Sequence, residues 1–161
     1  MTAAHPEESV PGEAGDGAGF PLDTLVPPPA GGLFGEWWAG TERRQLLVQR
    51  CGSCGAAQHY PRPVCGTCSA TELSMTVAAG DATLYSYTTV WRPPHPGLAA
   101  PYVVALVRLA EGPLLVTRLV GTGEESLSCD QPLRLEWAPL ADGRALPVFS
   151  PTTPAPPTQE R

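Results

Sequence analysis

The chain has 161 residues, 42% of them hydrophobic, and a formal net charge of −6. This length allows one domain, or one domain with a small appendage. Five of the 16 acidic residues but none of the ten basic residues lie in residues 1–32, so the remainder is nearly neutral. A near-neutral body lacks the basic surface that binds a phosphate backbone, which argues against a nucleic-acid partner. The sequence also predicts no membrane partner and a cytoplasmic location, because it shows neither a bilayer-length apolar run nor a signal peptide.

Both ends of the chain are rich in proline. Residues 1–32 combine Pro, Gly and Ala with acidic residues, and residues 151–161 contain four prolines among Thr and Ala. Such segments bury too little apolar surface to fold, so we expect two disordered tails. Between them, the sequence predicts a helix plus a metal-binding segment over residues 33–78, and a second domain over residues 79–150.

A short aromatic helix is expected first. Four large apolar side chains recur at the spacing of one helix face: Leu33, Phe34, Trp37 and Trp38. This spacing predicts a helix over residues 33–44, which Gly40 interrupts or ends. Two interpretations of its aromatic side chains remain open. Either they pack on the rest of the chain, or Phe34, Trp37 and Trp38 anchor a partner subunit, as Trp and Phe often do at interfaces.

The most specific motif is a cysteine quartet with C-x2-C-x10-C-x2-C spacing, formed by Cys51, Cys54, Cys65 and Cys68. Each pair can place two thiolates on one side of a tight turn, and two facing turns form a tetrahedral site. The turns differ in sequence, since Gly55 follows the first pair and Ser69 the second. A closed four-thiolate site has no open position, so we predict a structural Zn²⁺ ion. A rubredoxin-type iron site fits the same spacing, whereas two disulfides would need an oxidising compartment.

A strand enters this motif over residues 46–50, and residues 72–77 are expected to lead out of it. From Gly80 onward the apolar pattern has period two, with Thr83, Tyr85, Tyr87 and Thr89 alternating with their neighbours. Five strands are predicted, over residues 83–90, 103–109, 113–120, 133–137 and 146–149. The predicted fold class is therefore mainly β, with a short helix, a zinc ribbon and a five-stranded OB-fold barrel. A five-stranded sandwich is the alternative.

Few side chains suit catalysis. Cys129 is the single cysteine outside the quartet, and His59 and His95 are the histidines beyond the first 32 residues. No spacing of a nucleophile and a base appears among them, so we interpret Cys129 as a half-buried small residue. We predict no catalytic residues.

Several segments together resemble a known family. They are Leu47-Val-Gln-Arg-Cys51, the strand from Gly80 to Val90 with its Tyr-Ser-Tyr centre, Pro101-Tyr-Val-Val-Ala-Leu-Val-Arg-Leu109 and Asp142-Gly-Arg-Ala-Leu-Pro-Val-Phe149. Over residues 33–150 the chain resembles the acyl-CoA-associated OB-fold proteins with an N-terminal rubredoxin-like zinc ribbon, domain of unknown function family 35.

This resemblance implies a non-catalytic accessory subunit of a thiolase-fold enzyme that acts on acyl-CoA thioesters. The partner would be an aldolase, a thiolase or an acyltransferase, for example in steroid side-chain degradation. The subunit would stabilise that partner in a heterotetramer or similar complex and help form its substrate site, where acyl-CoA could be shared. The alternatives are a nucleic-acid-binding zinc-ribbon and OB module, and a rubredoxin-like electron carrier.

Two groups of residues are candidates for binding in such a complex. Residues 43–68 contain four arginines and no acidic residue: Arg43, Arg44, Arg50 and Arg62. Because guanidinium groups pair with phosphates and carboxylates, they could contact CoA or an acidic patch on the partner; the alternative is that they are solvated. Trp91 and His95 lie in a proline-rich loop over residues 91–101, which is either a docking loop or a rigid connector.

Overall fold

The computed structural model describes residues 31–92, 94 and 99–152. Most of the two predicted tails, together with His95, lies outside the described residues. The described part is mainly β, with one α-helix, a three-stranded sheet and a closed five-stranded barrel. No helix in this part of the chain has the length and apolarity that a membrane crossing requires.

The predicted helix is present but shorter than residues 33–44. A 3-10 turn at Gly32–Phe34 leads into α1, Gly35–Glu42. The helix ends where Arg44 adopts a left-handed conformation, with φ 57°. Its N–H donates to Thr41 O at 3.1 Å, and the next N–H, of Gln45, donates to Gly40 O at 2.9 Å. This pair of bonds is the Schellman arrangement that satisfies the last carbonyl groups of a helix.

Gly40 does not interrupt the helix, contrary to expectation. It is buried, and a Cβ atom at this position would lie 2.8 Å from Leu47 Cγ and 2.9 Å from Gln45 O. The glycine is therefore required by the close approach of α1 to the following strand, and not by a break in the helix.

The ribbon is a three-stranded antiparallel sheet of β1 (Leu47–Cys51), β2 (Ala57–Gln58) and β3 (Leu73–Val77), in the order β2-β1-β3. The sequence predicted β1, but residues 72–77 were expected only to lead out of the metal site. They instead pair with the whole of β1, from Leu47 opposite Val77 to Cys51 opposite Leu73. Both ends of the cysteine segment are thereby held in one sheet.

The barrel contains the five predicted strands. They are β4 (Asp81–Val90), β5 (Tyr102–Leu109), β6 (Leu114–Leu119), β7 (Pro132–Pro139) and β8 (Ala145–Pro151). Their order is β4-β5-β6-β8-β7, and β7 pairs back onto β4. All neighbours are antiparallel except β6 and β8, which meet at Leu119 and Phe149. Closure confirms the OB-type barrel over the sandwich and leaves no open sheet edge.

A β-bulge at Tyr85 interrupts the alternation of inward and outward side chains that was expected in β4. The register with β5 shifts between Leu84 and Ser86, so residues before and after the bulge follow opposite parities. Leu84 is fully buried, Tyr85 is 50% exposed, and Tyr87 is again partly buried with its hydroxyl donating to Leu127 O at 3.2 Å. Tyr85 and Tyr87 therefore lie on opposite faces of the barrel wall, although strict period two predicted one face.

One hydrophobic core joins the helix, the ribbon and the barrel. Trp37 and Trp38 of α1 are 7% and 8% exposed, and they belong to the same buried cluster as Leu46, Leu84 and Phe149. Of the two interpretations of the aromatic helix, packing on the chain itself is thus the correct one for both tryptophans.

A buried arginine fastens the helix to the end of the barrel. Arg144, 6% exposed, stacks its guanidinium over the Trp38 ring at 4.6 Å. It also forms an ion pair with Asp142 at 2.6 Å. The Asp142-Gly143-Arg144 turn between β7 and β8 therefore contacts the helix directly, which fixes α1 relative to the barrel.

Candidate metal centre

The four predicted cysteines converge on one point. All are free thiols, and their Sγ atoms lie within 4.8 Å of one another. Cys51 Sγ is 3.6 Å from Cys68 Sγ, and Cys54 Sγ is 3.7 Å from Cys65 Sγ. Zinc–sulfur bonds of about 2.3 Å in a tetrahedron place sulfurs about 3.8 Å apart. The quartet therefore has the dimensions of a tetrahedral thiolate site.

The two cysteine turns share one backbone geometry in spite of their different sequences. Gly55 and Ser69 follow the two pairs, with φ 74° and 60°. Their N–H groups donate to the carbonyls of Cys51 and Cys65, and the N–H groups of these cysteines in turn donate five residues ahead. Ser69 therefore occupies a left-handed position that favours glycine. The expectation that the turns differ holds for sequence but not for conformation.

The thiols have divergent proton affinities. Backbone N–H groups of Cys68 and Thr67 lower the pKa of Cys65 to about 6. A backbone hydrogen bond from Ala70 lowers the pKa of Cys68, but the neighbouring thiols of Cys54 and Cys51 have the larger combined effect and raise that pKa to about 12. Four adjacent thiolates repel one another, so a bound cation is what allows all four to ionise together.

A glutamine pair, missed by the sequence analysis, ties the first strand to the second cysteine turn. Gln49, buried in β1, accepts hydrogen bonds at 2.8 Å from Arg62 N and from Gln58 Nε2. Its own Nε2 donates to Arg62 O at 3.2 Å. Gln58 Oε1 accepts from Gly66 N at 2.9 Å, next to the ligand Cys65. These bonds position the second turn outside the ligand set itself.

His59 lies between the ribbon and the aromatic helix. Its ring is 5.9 Å from that of Trp37 and 4.1 Å from that of Tyr60. Burial lowers the pKa of His59 to about 4, so the ring is neutral at pH 7. Within the described residues its two nitrogens have no hydrogen-bond partner. In the part of the chain that the structure describes, His59 is therefore not hydrogen-bonded to Cys129.

Cys129 is exposed, not half-buried as expected. It lies in the segment between the 3-10 turn Glu124–Ser126 and strand β7. In the part of the chain that the structure describes, no thiol and histidine are paired as nucleophile and base.

The four predicted arginines all lie on the surface. Arg50 donates to Gly55 O at 3.0 Å, beside the first cysteine turn. Arg43 donates to the Gln45 side chain at 3.1 Å, and Arg44 to Thr41 O at 3.1 Å, just after α1. The Arg62 guanidinium extends towards Gly66 in the second turn. They are thus distributed over the helix end and both cysteine turns, and their role in binding stays a prediction.

The predicted docking residues divide by exposure. Phe34 is partly exposed together with Leu33, whereas Trp37 and Trp38 are buried and offer no surface to a partner. Trp91 is 69% exposed at the end of β4, and His95 lies outside the described residues. The buried pair is consequently removed from the docking set, in which Phe34 and Trp91 remain.

Comparison with known proteins gives two adjoining family matches. Residues 38–74 match the model described as "ChsH2, rubredoxin-like zinc ribbon domain". Residues 76–138 match the model described as "ChsH2, C-terminal OB-fold domain". These ranges correspond to the ribbon with the end of α1 and to most of the barrel, and the first match identifies the quartet as a zinc site.

Two curated relatives are longer than this chain. The probable enoyl-CoA hydratase alpha subunit of Thermomonospora curvata is 40% identical over 118 residues, which are 73% of this chain and 37% of that protein. The 3-oxo-4,17-pregnadiene-20-carboxyl-CoA hydratase alpha subunit of Mycobacterium tuberculosis is 26% identical over 120 residues, 74% of this chain and 38% of that protein. The chain therefore spans less than two-fifths of the length of these relatives.

A solved structure matches at full length. The chain in the structure described as "Ltp2-ChsH2(DUF35) aldolase" is 37% identical and superimposes with a TM-score of 0.72. The match covers 80% of this chain and 100% of that one.

Proposed function

The chain belongs to the ChsH2-type family of DUF35 proteins, which join a rubredoxin-like zinc ribbon to an OB fold, and on this premise we propose that it is a non-catalytic accessory subunit of a thiolase-fold enzyme acting on acyl-CoA thioesters. The observation that carries the proposal is the match of 80% of this chain to the whole of a chain in the structure described as "Ltp2-ChsH2(DUF35) aldolase". The names of the hydratase relatives, which include CoA thioesters of a steroid type, support the substrate class.

The lack of a catalytic set in the described part of the chain supports an accessory role. Its quartet uses all four cysteines as ligands, so a bound zinc ion has no open position for substrate or water. Cys129 is exposed without a base, and His59 is buried without a partner. The chemistry would therefore be carried out by side chains of the other subunit.

The ribbon is proposed to present a docking surface, with zinc as its structural support. Four thiolates would hold the metal, which supplies a crosslink between the two cysteine turns. The ribbon strands are two to five residues long, and β1 buries its apolar residues in the core shared with the barrel instead of a core of the ribbon's own. A metal is what such a small sheet needs for a fixed shape.

Docking would use the exposed residues at the junction of α1 and the ribbon. Leu33 and Phe34 precede the buried tryptophans by one helical turn, and Tyr60 extends from the ribbon beside His59. These three side chains expose apolar surface, and the exposed Arg43 and Arg44 follow the other end of α1. An apolar centre with arginine at its rim is a typical protein interface.

Contact with CoA is the finer part of the proposal. Arg50 and Arg62 flank the two cysteine turns and would pair with phosphate groups. Trp91, which follows β4, and His95, which lies in the sequence between β4 and β5, would line the acyl site of the partner or dock on it. The barrel would thereby exclude water and help position the thioester.

A co-expression experiment tests the function. The full chain would be produced with a candidate thiolase-fold subunit, sought first among the reading frames next to its gene, and each subunit alone would serve as a control. Size-exclusion chromatography with light scattering gives the assembly, and cleavage of a steroid-type acyl-CoA gives the activity. We expect a stable complex and activity that depends on this chain. Full solubility and activity of the partner alone would refute the proposal, and a red, iron-containing protein would favour electron transfer.

A further inference from the structure

Strand β5 is apolar on both faces. Val103, Ala105 and Val107 are buried in the barrel interior, as the inner face of a barrel requires. The alternate residues Val104 and Leu106 point outward and are only partly buried. An antiparallel sheet with one solvated face normally carries polar residues there. The outward apolar positions therefore need an explanation other than the barrel core.

The neighbouring strands extend this apolar surface. Leu106 lies opposite Val116 of β6, which is 55% exposed, and Arg108 lies opposite Leu114. On the β4 side, the bulge turns Tyr85 outward. We call this surface the outer barrel face; it comprises Tyr85, Tyr102, Val104, Leu106, Leu114 and Val116.

Two arginines flank the outer barrel face. The guanidinium of Arg108 lies 4.9 Å from the Tyr85 ring centroid, and that of Arg118 lies 5.0 Å from the Tyr102 ring centroid. They sit at opposite ends of β5, and stacking on tyrosine holds each guanidinium in a defined plane. Residues 83–90, 102–109 and 114–119 contain no acidic residue, and Asp81 at the start of β4 lies opposite Arg134 of β7. The surface is thus an apolar strip with positive charge at both ends.

We propose that the outer barrel face is a second contact surface for the thiolase-fold subunit, which would present an apolar patch flanked by carboxylates. The inference rests on the proposed function and adds the barrel wall to the helix and ribbon as a contact. Tyrosine and arginine around an aliphatic centre, without lysine or glutamate, form the composition of interface hot spots.

Charge and topology select this occupant over two others. A second copy related by a two-fold axis would place these arginines against strands whose single acidic residue, Asp81, lies opposite Arg134, so it offers little charge complementarity. An extended peptide cannot add as a strand, because the barrel is closed and β5 is paired on both sides. The remaining mode is side-chain packing against an apolar surface with an acidic rim.

Matched substitutions in the full zinc-loaded chain test the inference. Val116→Glu is compared with Glu136→Arg, on the exposed side of β7 and outside both proposed docking surfaces. Arg108→Glu is compared with Arg134→Glu on the exposed side of β7. The probe is the co-expressed complex of the thiolase-fold subunit with a labelled wild-type chain, and the Kd of each unlabelled variant is measured by displacement of that chain. We expect Kd to rise about tenfold or more for Val116→Glu and Arg108→Glu, and to change less than about twofold for the controls. Val116→Thr, which keeps shape and strand propensity, should give a smaller rise.

The outcomes separate the two proposals. If the wild-type chain does not bind the thiolase-fold subunit, the proposed function is refuted, and so is the inference that the outer barrel face contacts the partner. If wild type binds and Val116→Glu and Arg108→Glu bind equally well, the proposed function stands and this inference is overturned. A wild-type dimer that Val116→Glu dissociates would assign the face to a second copy and also overturn it. Near-ultraviolet circular dichroism and zinc content establish that each variant is folded.

Discussion

Replacing Gln49 with leucine should weaken zinc binding although Gln49 is not a ligand. The substitution introduces an apolar side chain of similar size in β1 and removes three hydrogen bonds, two to the backbone of Arg62 and one to Gln58. Each is worth about 1 kcal/mol net, and the Arg62 N–H and C=O groups lose their partner beneath the second cysteine turn. The expected loss is about 3 kcal/mol in folding of the ribbon. Because metal binding and folding are coupled in such sites, the zinc Kd should rise about 100-fold.

Competition with a chromophoric chelator at pH 7 measures this Kd, and thermal unfolding of the zinc-loaded protein reports stability. Gln45→Leu is the matched control, since its side chain accepts one hydrogen bond from an exposed arginine. Its effect should stay within about 0.5 kcal/mol. A Gln49→Leu variant whose zinc Kd lies within threefold of wild type would refute the reasoning that this glutamine positions the second turn.

Three further predictions concern backbone conformation, the helix clamp and pH. Both positions that follow the cysteine pairs have positive φ, so Ser69→Gly should leave stability unchanged or raise it by up to about 1 kcal/mol, whereas Gly55→Ser should lower it by about 1 kcal/mol. Urea unfolding measures both changes. Changes in stability of the same sign for the two variants would contradict the shared turn geometry. Arg144→Met should lower stability by about 1 kcal/mol, chiefly by removing the guanidinium stacked on Trp38. The loss would appear as a lower Tm with wild-type zinc content, and an unchanged Tm would exclude this contact as a stabilising one. His59 should titrate near pH 4 by NMR. Because His59 binds a proton at higher pH in the unfolded state than in the folded state, its contribution to stability is complete above about pH 6.5 and falls as the pH drops towards 4. A measured pKa near 6.5 would contradict the burial of His59.

Sequence patterns identified the features that depend on local spacing. The cysteine quartet follows from C-x2-C chemistry, and the barrel strands follow from period two interrupted by turns such as Asp142-Gly143. The bulge at Tyr85 was not predicted. One extra residue reverses the face on which all following β4 side chains lie, but it does not change the amino-acid composition of the strand. Strand β3 escaped because its pairing with β1 spans the whole metal-binding segment.

Features that depend on long-range packing could not be predicted from one sequence. Helical spacing placed Trp37 and Trp38 on one face, but it did not reveal which element covers that face. Gln49 reads as an ordinary polar strand residue, since the groups that it satisfies lie nine and thirteen residues away. Arg144 likewise gave no signal of burial, because its tryptophan partner lies about a hundred residues earlier in the chain.

Because β1 pairs with β3, the metal-bound cysteine quartet acts as a reversible crosslink between the two ends of the cysteine segment. A tetrathiolate centre ties Cys51 to Cys68 at the base of a sheet that is already hydrogen-bonded on both sides of the loop. A disulfide closing a loop of this length would restrict the unfolded chain by about 3 kcal/mol, and four bonds to one ion impose at least the same restriction. Unlike a disulfide, this restriction does not require an oxidising environment and can be withdrawn by a chelator. The helix, ribbon and barrel share one core, so removal of the ion should loosen the barrel as well as the ribbon.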